Sequence, residues 1–141
     1  MPFKKTKIMV FGTFDVLHKG HLNFFKQARN LAKKPYLVVS VARDSNVKRI
    51  KGKAPFLKEA QRKLALFKNR LVDKVVLGGK TNFLTHIKKE KPEVIALGYD
   101  QTAYVKDLKK AIKKEVLTTR IFRLKPFKPK IYKSSLFKKK S

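Results

Sequence analysis

The sequence contains no cysteine, few acidic residues and no long apolar segment. Among its 141 residues are 37 Lys or Arg, 9 Asp or Glu, and no Cys. The lack of cysteine excludes a disulfide framework, a thiol nucleophile and a thiolate metal site. No apolar run approaches the ~18 residues that a membrane-spanning helix requires, and the apolar run near the N-terminus is too short for a signal peptide. We therefore expect a cytoplasmic protein that does not insert into a membrane.

The excess of basic residues is the most unusual feature of the composition. The formal net charge is +28, and such a field attracts polyanions, whether nucleic acid, an anionic membrane surface or a nucleoside triphosphate. A solvated lysine-rich surface without a specific partner would have the same composition. Hydrophobic residues make up 43% of the chain, which is enough for a packed core and excludes wholesale disorder.

The hydrophobic pattern alternates between short apolar runs and segments with helical spacing. Strands are predicted at residues 7–11, 36–42, 73–77, 93–97 and 119–124, and helices at 20–34, 57–70, 81 or 82 to 89, and 103–114. Residues 43–55 are predicted to form a lysine-rich loop. The helix at 57–70 places Leu57, Ala60, Leu64 and Phe67 on one apolar face.

This alternation predicts a single α/β domain. Strands that alternate with helices form right-handed βαβ units, so we expect a small doubly wound fold around a five-stranded, mostly parallel sheet. The domain is predicted to span residues 1–124. Residues 125–141 form a basic tail that contains seven lysines and no acid, and we expect this tail to close over a site or to hang free.

The segment after the first predicted strand, GTFDVLHKGH at residues 12–21, carries the clearest chemistry. Ligands of open α/β sheets bind beyond the carboxyl ends of the strands. His18 and His21 would share one face of a helical turn, and the start of a helix favours an anion. We interpret the pair as a phosphate site. Two alternatives stay open: a metal triad completed by Asp15, or a structural role.

The same segment resembles the GTFDxxHxGH signature of the cytidylyltransferase-like, or HIGH-type, nucleotidyltransferases. Residues 41–45 (VARDS) and 91–101 (KPEVIALGYDQ) are similar to stretches of archaeal-type FAD synthases, and the order of motifs matches over the full chain. The resemblance implies a Rossmann-like domain that transfers AMP from ATP to the phosphate of FMN and releases pyrophosphate, with Mg²⁺ beside the triphosphate.

Two other functions remain open at this point. One is a cytidylyltransferase that uses CTP and glycerol-3-phosphate or another small phosphate ester. The other is a nucleic-acid-binding module on an inactive enzyme fold, which the charge of +28 favours and the intact histidine motif disfavours. The resemblance also implies a homodimer, and the charge alone predicts nonspecific binding of polyanions.

The resemblance assigns roles to individual residues. His18 and His21 would stabilise the α-phosphate in the transition state, and Lys51 and Lys53 would contact the β- and γ-phosphates. The implied nucleotide-binding residues are Gly12, Thr13, Phe14, Lys51, Lys53, Arg62, Gly98, Asp100, Ser134 and Ser135. Residues 59–62 resemble the ExxR helix segment of the family, and three roles stay open for Arg62. It could contact phosphate, it could pin the lysine loop while Glu59 holds it, or it could form an ordinary surface pair with Glu59. The metal ligands are not identified by the sequence, and Asp15 is the one candidate.

Overall fold

Five short hydrophobic segments form one parallel sheet. The structure, a computed structural model, describes residues 4–78, 83–99, 101, 105–114 and 119–125. The strands are β1 (Thr6–Gly12), β2 (Pro35–Val41), β3 (Lys74–Leu77), β4 (Val94–Leu97) and β5 (Arg120–Arg123). Their order across the sheet is β3-β2-β1-β4-β5, and all four neighbouring pairs are parallel. The predicted α/β class and five-stranded parallel sheet are confirmed.

Helices lie between the strands, as the alternating pattern predicts. They are α1 (Lys19–Arg29), α2 (Asp44–Lys51), α3 (Glu59–Phe67), α4 (Phe83–Glu90) and α5 (Val105–Lys114). Among the described residues, no helix has the length and apolar character to cross a bilayer. Asp100, Ser134, Ser135 and most of the predicted tail lie outside the described residues.

Both faces of the sheet are buried along its central strands β1, β2 and β4, which explains why those strands are almost continuously apolar. Side chains alternate between the faces along each strand. In β1, Ile8 and Val10 belong to one core cluster together with Phe25 of α1 and Leu66 of α3. The intervening Met9 belongs to a second cluster, whose other buried members are Val38, Ile87, Ile95, Leu97 and Leu108. The sheet therefore has one helical layer on each side, and the carboxyl ends of its strands form the edge from which the site is built.

The predicted loop at residues 43–55 is wrong over most of its length, because Asp44–Lys51 forms helix α2. Its N-terminus is stabilised from outside the segment: the Glu59 carboxylate accepts a hydrogen bond from the Asp44 N–H at 3.0 Å. In return, the Asp44 carboxylate accepts one from the Glu59 N–H at 3.2 Å, so the first residues of α2 and α3 cap each other. Gly52 ends α2 in the left-handed conformation, with φ of 81°.

The predicted apolar face of α3 is not its buried face. Leu64 is 52% exposed and Phe67 is 72% exposed, whereas Leu66 and the side chain of Arg62 are fully buried. The helix therefore turns a charged residue toward the site and leaves an apolar stripe outside. Helical spacing identifies the apolar face of a helix. It does not show that another face is buried instead when that face carries a charged residue with buried partners, such as Arg62.

Candidate active site

The turn from β1 to α1 is shaped by the packing of one aromatic ring. Phe14 has a left-handed backbone, with φ of 50°, and its side chain is only 6% exposed. Its ring lies 5.4 Å from that of Phe25 and meets His21 edge-on at 5.5 Å. A Cβ on Gly12 would lie 2.8 Å from carbon atoms of the Phe14 ring. Gly12 is therefore required for the Phe14 ring to pack against the backbone at this position, and that packing anchors the turn.

The two predicted histidines come together at the start of α1. Their rings stack with centroids 3.9 Å apart. His18 is the N-cap residue, and its Nδ1 accepts a hydrogen bond from the Gly20 N–H at 3.1 Å. The Nδ1 of His21 accepts one from the His18 N–H at 3.3 Å. Each ring is thus fixed through one nitrogen by the backbone of the helix start.

Burial keeps both imidazoles neutral. Desolvation lowers the pKa of His18 and, together with repulsion from His18, lowers the pKa of His21 to about 3. Because Nδ1 is an acceptor in both hydrogen bonds, each neutral ring carries its proton on Nε2. The pair therefore presents N–H donors rather than cations, at the positive end of the α1 dipole.

Asp15 lies beneath this turn, with 1% exposure. Its two carboxylate oxygens accept hydrogen bonds from the Phe56 N–H at 2.6 Å and the Leu57 N–H at 2.7 Å. These contacts are short, charge-assisted bonds to backbone that is more than forty residues away in sequence. A carboxylate held in this way is a poor fit to a metal-ligand role. Among the residues that the structure describes, no group of three or more His, Cys, Asp or Glu side chains could hold a metal ion.

Arg62 is fully buried in this structure. Its guanidinium donates to the Thr13 carbonyl at 2.8 Å and to the Leu57 carbonyl at 3.0 Å, and it pairs with the Asp44 carboxylate at 2.7 Å. The alternative role for Arg62, pinning the segment before α3, is the one that these contacts match. The acid that pairs with it is Asp44, and not Glu59 as the ExxR stretch suggests.

Lys51 and Lys53, the two lysines expected to contact the β- and γ-phosphates, lie in different structural elements. Lys51 is the last residue of α2 rather than part of a loop. Lys53 is exposed in the segment that joins α2 to α3. That segment ends at Phe56 and Leu57, whose N–H groups Asp15 holds. The positive charge of Lys53 is therefore carried on backbone that is tied to the histidine turn.

Gly98 follows β4 at the same edge of the sheet, beside β1 as the predicted topology requires. Its N–H donates to the Gln101 side chain at 2.8 Å, and its carbonyl accepts from Arg123 at 2.8 Å. Gln101 also donates to the Phe11 carbonyl at 2.7 Å and so joins the ends of β4 and β1. The sequence assigns no role to Gln101 or Arg123. The signal that could have found them is position alone, since Gln101 follows β4 and Arg123 ends the neighbouring strand β5.

Tyr99 brings a hydroxyl group to this edge. The hydroxyl oxygen is buried and has no hydrogen-bond partner among the described residues. Asp100, the next residue, lies outside the described ranges. The end of β4 therefore contributes polar groups to the site at the point where the first strand also ends.

Two neutral N–H donors above a helix N-terminus suit a phosphate group whose negative charge increases during reaction. The chain offers no thiol, and its buried carboxylate is already engaged with backbone. A Rossmann-like sheet with this pair at the end of its first strand is characteristic of a nucleotidyltransferase domain.

The chain belongs to the cytidylyltransferase-like family, whose model matches residues 9–140. It is 37% identical to an FAD synthase of Aciduliprofundum boonei over 121 residues, which cover 86% of this chain and 79% of that protein. It is 40% identical to an FAD synthase of Archaeoglobus profundus over 119 residues, which cover 84% of this chain and 74% of the relative.

Solved structures share the fold. A protein from Thermoplasma volcanium described as a lipopolysaccharide core biosynthesis protein is 34% identical, with a TM-score of 0.80 over 88% of this chain and 99% of that one. Pantoate-beta-alanine ligase from Francisella tularensis matches with a TM-score of 0.59 at 14% identity, over 95% of this chain and 68% of the ligase. The second likeness shows the fold alone.

Proposed function

We propose that this chain is an FAD synthase, which transfers AMP from ATP to the phosphate of FMN. The observation that carries the proposal is the pair of stacked, neutral histidines at the start of α1. Membership of the cytidylyltransferase-like family supports nucleotidyl transfer. The two relatives named FAD synthase, at 37% and 40% identity, support ATP and FMN as the substrates.

The reaction proceeds by direct displacement. A phosphate oxygen of FMN attacks the α-phosphorus of ATP, the bond from that phosphorus to its bridging oxygen breaks, and pyrophosphate leaves with the electron pair. The Nε2–H groups of His18 and His21 donate hydrogen bonds to the α-phosphate as charge accumulates on its oxygens. Because the rings are neutral and fixed, they supply these donors without having to reorganise.

The remaining residues hold the substrates. Lys53 reaches the β- and γ-phosphates from the segment between α2 and α3, and the nucleoside is assigned to the end of β4, at Gly98, Tyr99 and Asp100. The backbone of Lys125, the first residue of the predicted tail, exchanges two 2.9 Å hydrogen bonds with the side-chain amide of Gln27, near the C-terminal end of α1. In this proposal Ser134 and Ser135 bind the triphosphate, as the resemblance to the family implies.

A divalent cation, Mg²⁺, accompanies ATP in this proposal. Mg²⁺ commonly keeps several waters and binds substrate phosphates with only one or two protein carboxylates. Such a metal would arrive with the triphosphate and neutralise its charge. Asp15 is not assigned to it, because both oxygens of that carboxylate already accept backbone hydrogen bonds.

Pyrophosphate release tests the reaction and the substrates together. ATP and CTP are each offered with FMN, glycerol-3-phosphate or phosphoethanolamine in the presence of Mg²⁺. We expect release with ATP and FMN, accompanied by FAD detected by chromatography. Release with CTP and a small phosphate ester instead would keep the transfer chemistry and reject the flavin. If no pair releases pyrophosphate, binding of a random RNA that weakens steeply with salt would favour the nucleic-acid-binding alternative.

We also propose that two copies pair through the exposed stripe of α3, formed by Ala60, Leu64 and Phe67. An antiparallel pair centred on Leu64 sets the large Phe67 of one copy against the small Ala60 of the other, so the surface is self-complementary. The net charge of +28 opposes this association, and salt screens that repulsion.

Sedimentation velocity at roughly 0.05 and 0.5 M NaCl, which span strong and weak screening, tests the dimer. We expect the dimer to strengthen with salt and to be lost in Phe67→Glu. Phe122→Glu is the matched control, because Phe122 is also exposed, at 38%, but lies on β5. A dimer that survives in Phe67→Glu, or a wild-type monomer at all concentrations, would exclude this interface.

A further inference from the structure

A closed set of hydrogen bonds joins the histidine turn to the segment before α3. From the turn, the Asp15 carboxylate accepts from the Phe56 and Leu57 N–H groups at 2.6 and 2.7 Å. From the helix, Arg62 donates to the Leu57 carbonyl at 3.0 Å and to the Thr13 carbonyl at 2.8 Å. Asp15 of the turn therefore holds the N–H of Leu57, and Arg62 holds its carbonyl. Arg62 also holds the turn itself, through the Thr13 carbonyl.

Two charges of this set are buried. Asp15 is 1% exposed and Arg62 is fully buried. Asp44 completes the set from a partly exposed position: its side chain is 37% exposed, its Oδ1 pairs with Arg62 at 2.7 Å, and its Oδ2 accepts from the N–H of Glu59. Because moving either Asp15 or Arg62 would leave a buried charge or buried backbone groups unpaired, the set favours a single arrangement.

The exposed cation Lys53 lies close in sequence to the backbone that these hydrogen bonds hold. Lys53 lies three residues before Phe56, and the intervening residues Ala54 and Pro55 leave little freedom for the backbone. Holding Phe56 and Leu57 against the turn therefore limits how far the backbone of Lys53 can move from the histidine turn before any ligand arrives. Preorganisation of this kind removes an ordering cost from binding.

We infer that Asp15 is a positioning residue that holds the lysine-bearing segment, residues 52–58, in register with the histidine turn. Asp15 does not touch substrate or metal in this account. It acts through Lys53, so its contribution should appear in nucleotide binding. The inference rests on the proposed function only in taking Lys53 as a contact of the triphosphate.

A double-mutant cycle on ATP binding tests this directly, with the affinity measured by calorimetry in the absence of FMN. Asp15→Asn offers one acceptor oxygen and turns an NH₂ donor toward the other backbone N–H. Because the effect acts through Lys53, we expect it to weaken ATP binding by about 10- to 100-fold, the scale of one hydrogen bond to a charged group. Lys53→Ala should weaken binding in the wild-type background and have little further effect in the Asp15→Asn background.

Two further variants separate positioning from stability. Asp73→Asn is the matched control, because the Asp73 carboxylate also accepts a backbone hydrogen bond, from the Leu37 N–H at 2.8 Å, and pairs with Arg29. It should lower the unfolding temperature without changing ATP affinity. Asp15→Glu keeps the charge while displacing the carboxylate, and it provides a folded alternative if Asp15→Asn does not fold. Hydrogen exchange at the Phe56 and Leu57 amides should accelerate in both Asp15 variants and not in Asp73→Asn.

Additive effects of Asp15→Asn and Lys53→Ala, or unchanged ATP affinity in a folded Asp15 variant, would overturn the inference. The readout is ATP binding and amide exchange, so a failure to form FAD leaves this test standing. If wild-type protein binds CTP instead, the same cycle is run with CTP. If it binds neither nucleotide, the positioning role is rejected together with the proposed function.

Discussion

Replacing His18 by asparagine is expected to slow nucleotidyl transfer by about 10²- to 10³-fold while the helix and fold remain in place. The magnitude is that of removing one preorganised donor to a developing oxyanion. Asparagine is a good N-cap residue, so it can replace Nδ1 as the acceptor of the Gly20 N–H. It cannot replace Nε2. The substitution therefore separates the capping role of the ring from its role at the phosphate.

The measurements are turnover by pyrophosphate release and the free energy of unfolding by urea titration. His86→Asn is the control for turnover, because it removes the third histidine of the chain, in α4, which has no role in the proposed reaction, and turnover should be unchanged. His21→Asn should also reduce turnover, with a larger loss of stability because His21 packs against Phe14. Turnover within a few-fold of wild type in both His18→Asn and His21→Asn would remove the histidines from the mechanism.

Gly12→Ala is expected to destabilise the protein by about 1–3 kcal/mol, the usual range for adding a methyl group to a packed interior. The new Cβ would lie 2.8 Å from the Phe14 ring, a distance that forces the ring to move. Because that ring supports His21 and the start of α1, turnover should fall as well. Urea unfolding and pyrophosphate release measure the two effects.

Gly98→Ala is the control for stability, because a Cβ there meets Gln101 at 3.5 Å, an ordinary contact. Leucine at position 14 would relieve the contact with the new Cβ. We therefore expect Gly12→Ala to cost less stability in a Phe14→Leu background than in the wild-type protein. Unchanged stability in Gly12→Ala would show that the turn is looser than the packing of Phe14 indicates.

The strands could be predicted from the sequence almost to the residue. Each of the five predicted strands agrees with the observed one within a single position at either end. The reason is physical: the central strands β1, β2 and β4 are buried on both faces and so form nearly continuous apolar runs, and the edge strands are short apolar segments flanked by charged residues. The first helix was less well bounded, since it ends at Arg29 rather than at residue 34.

Helix α2 could not be predicted, because what stabilises it is not local. Its sequence, DSNVKRIK, is polar, and its only apolar residues are Val47 and Ile50. The group that accepts its first N–H is the carboxylate of Glu59, fifteen residues away. A cap supplied by another helix leaves no signature in the segment itself.

The candidate site shows the same division. The histidine pair was identified from spacing, since two residues three apart on a helix start must share a face. The burial of Arg62 was not, because it depends on three partners from three different segments: Thr13, Asp44 and Leu57. Gln101 and Arg123 were missed for a similar reason, as each acts by joining strand ends that only the folded sheet brings together.

The most direct test of the central claim follows the α-phosphate of ATP. Protein is incubated with FMN, Mg²⁺ and ATP that carries a radioactive label at either the α- or the γ-position, and the products are separated. We predict that the α-label appears in FAD in the wild-type protein and the γ-label in pyrophosphate, with both transfers slowed about 10²- to 10³-fold in His18→Asn. An α-label that never enters FAD, or that enters it equally fast in His18→Asn, would contradict the account.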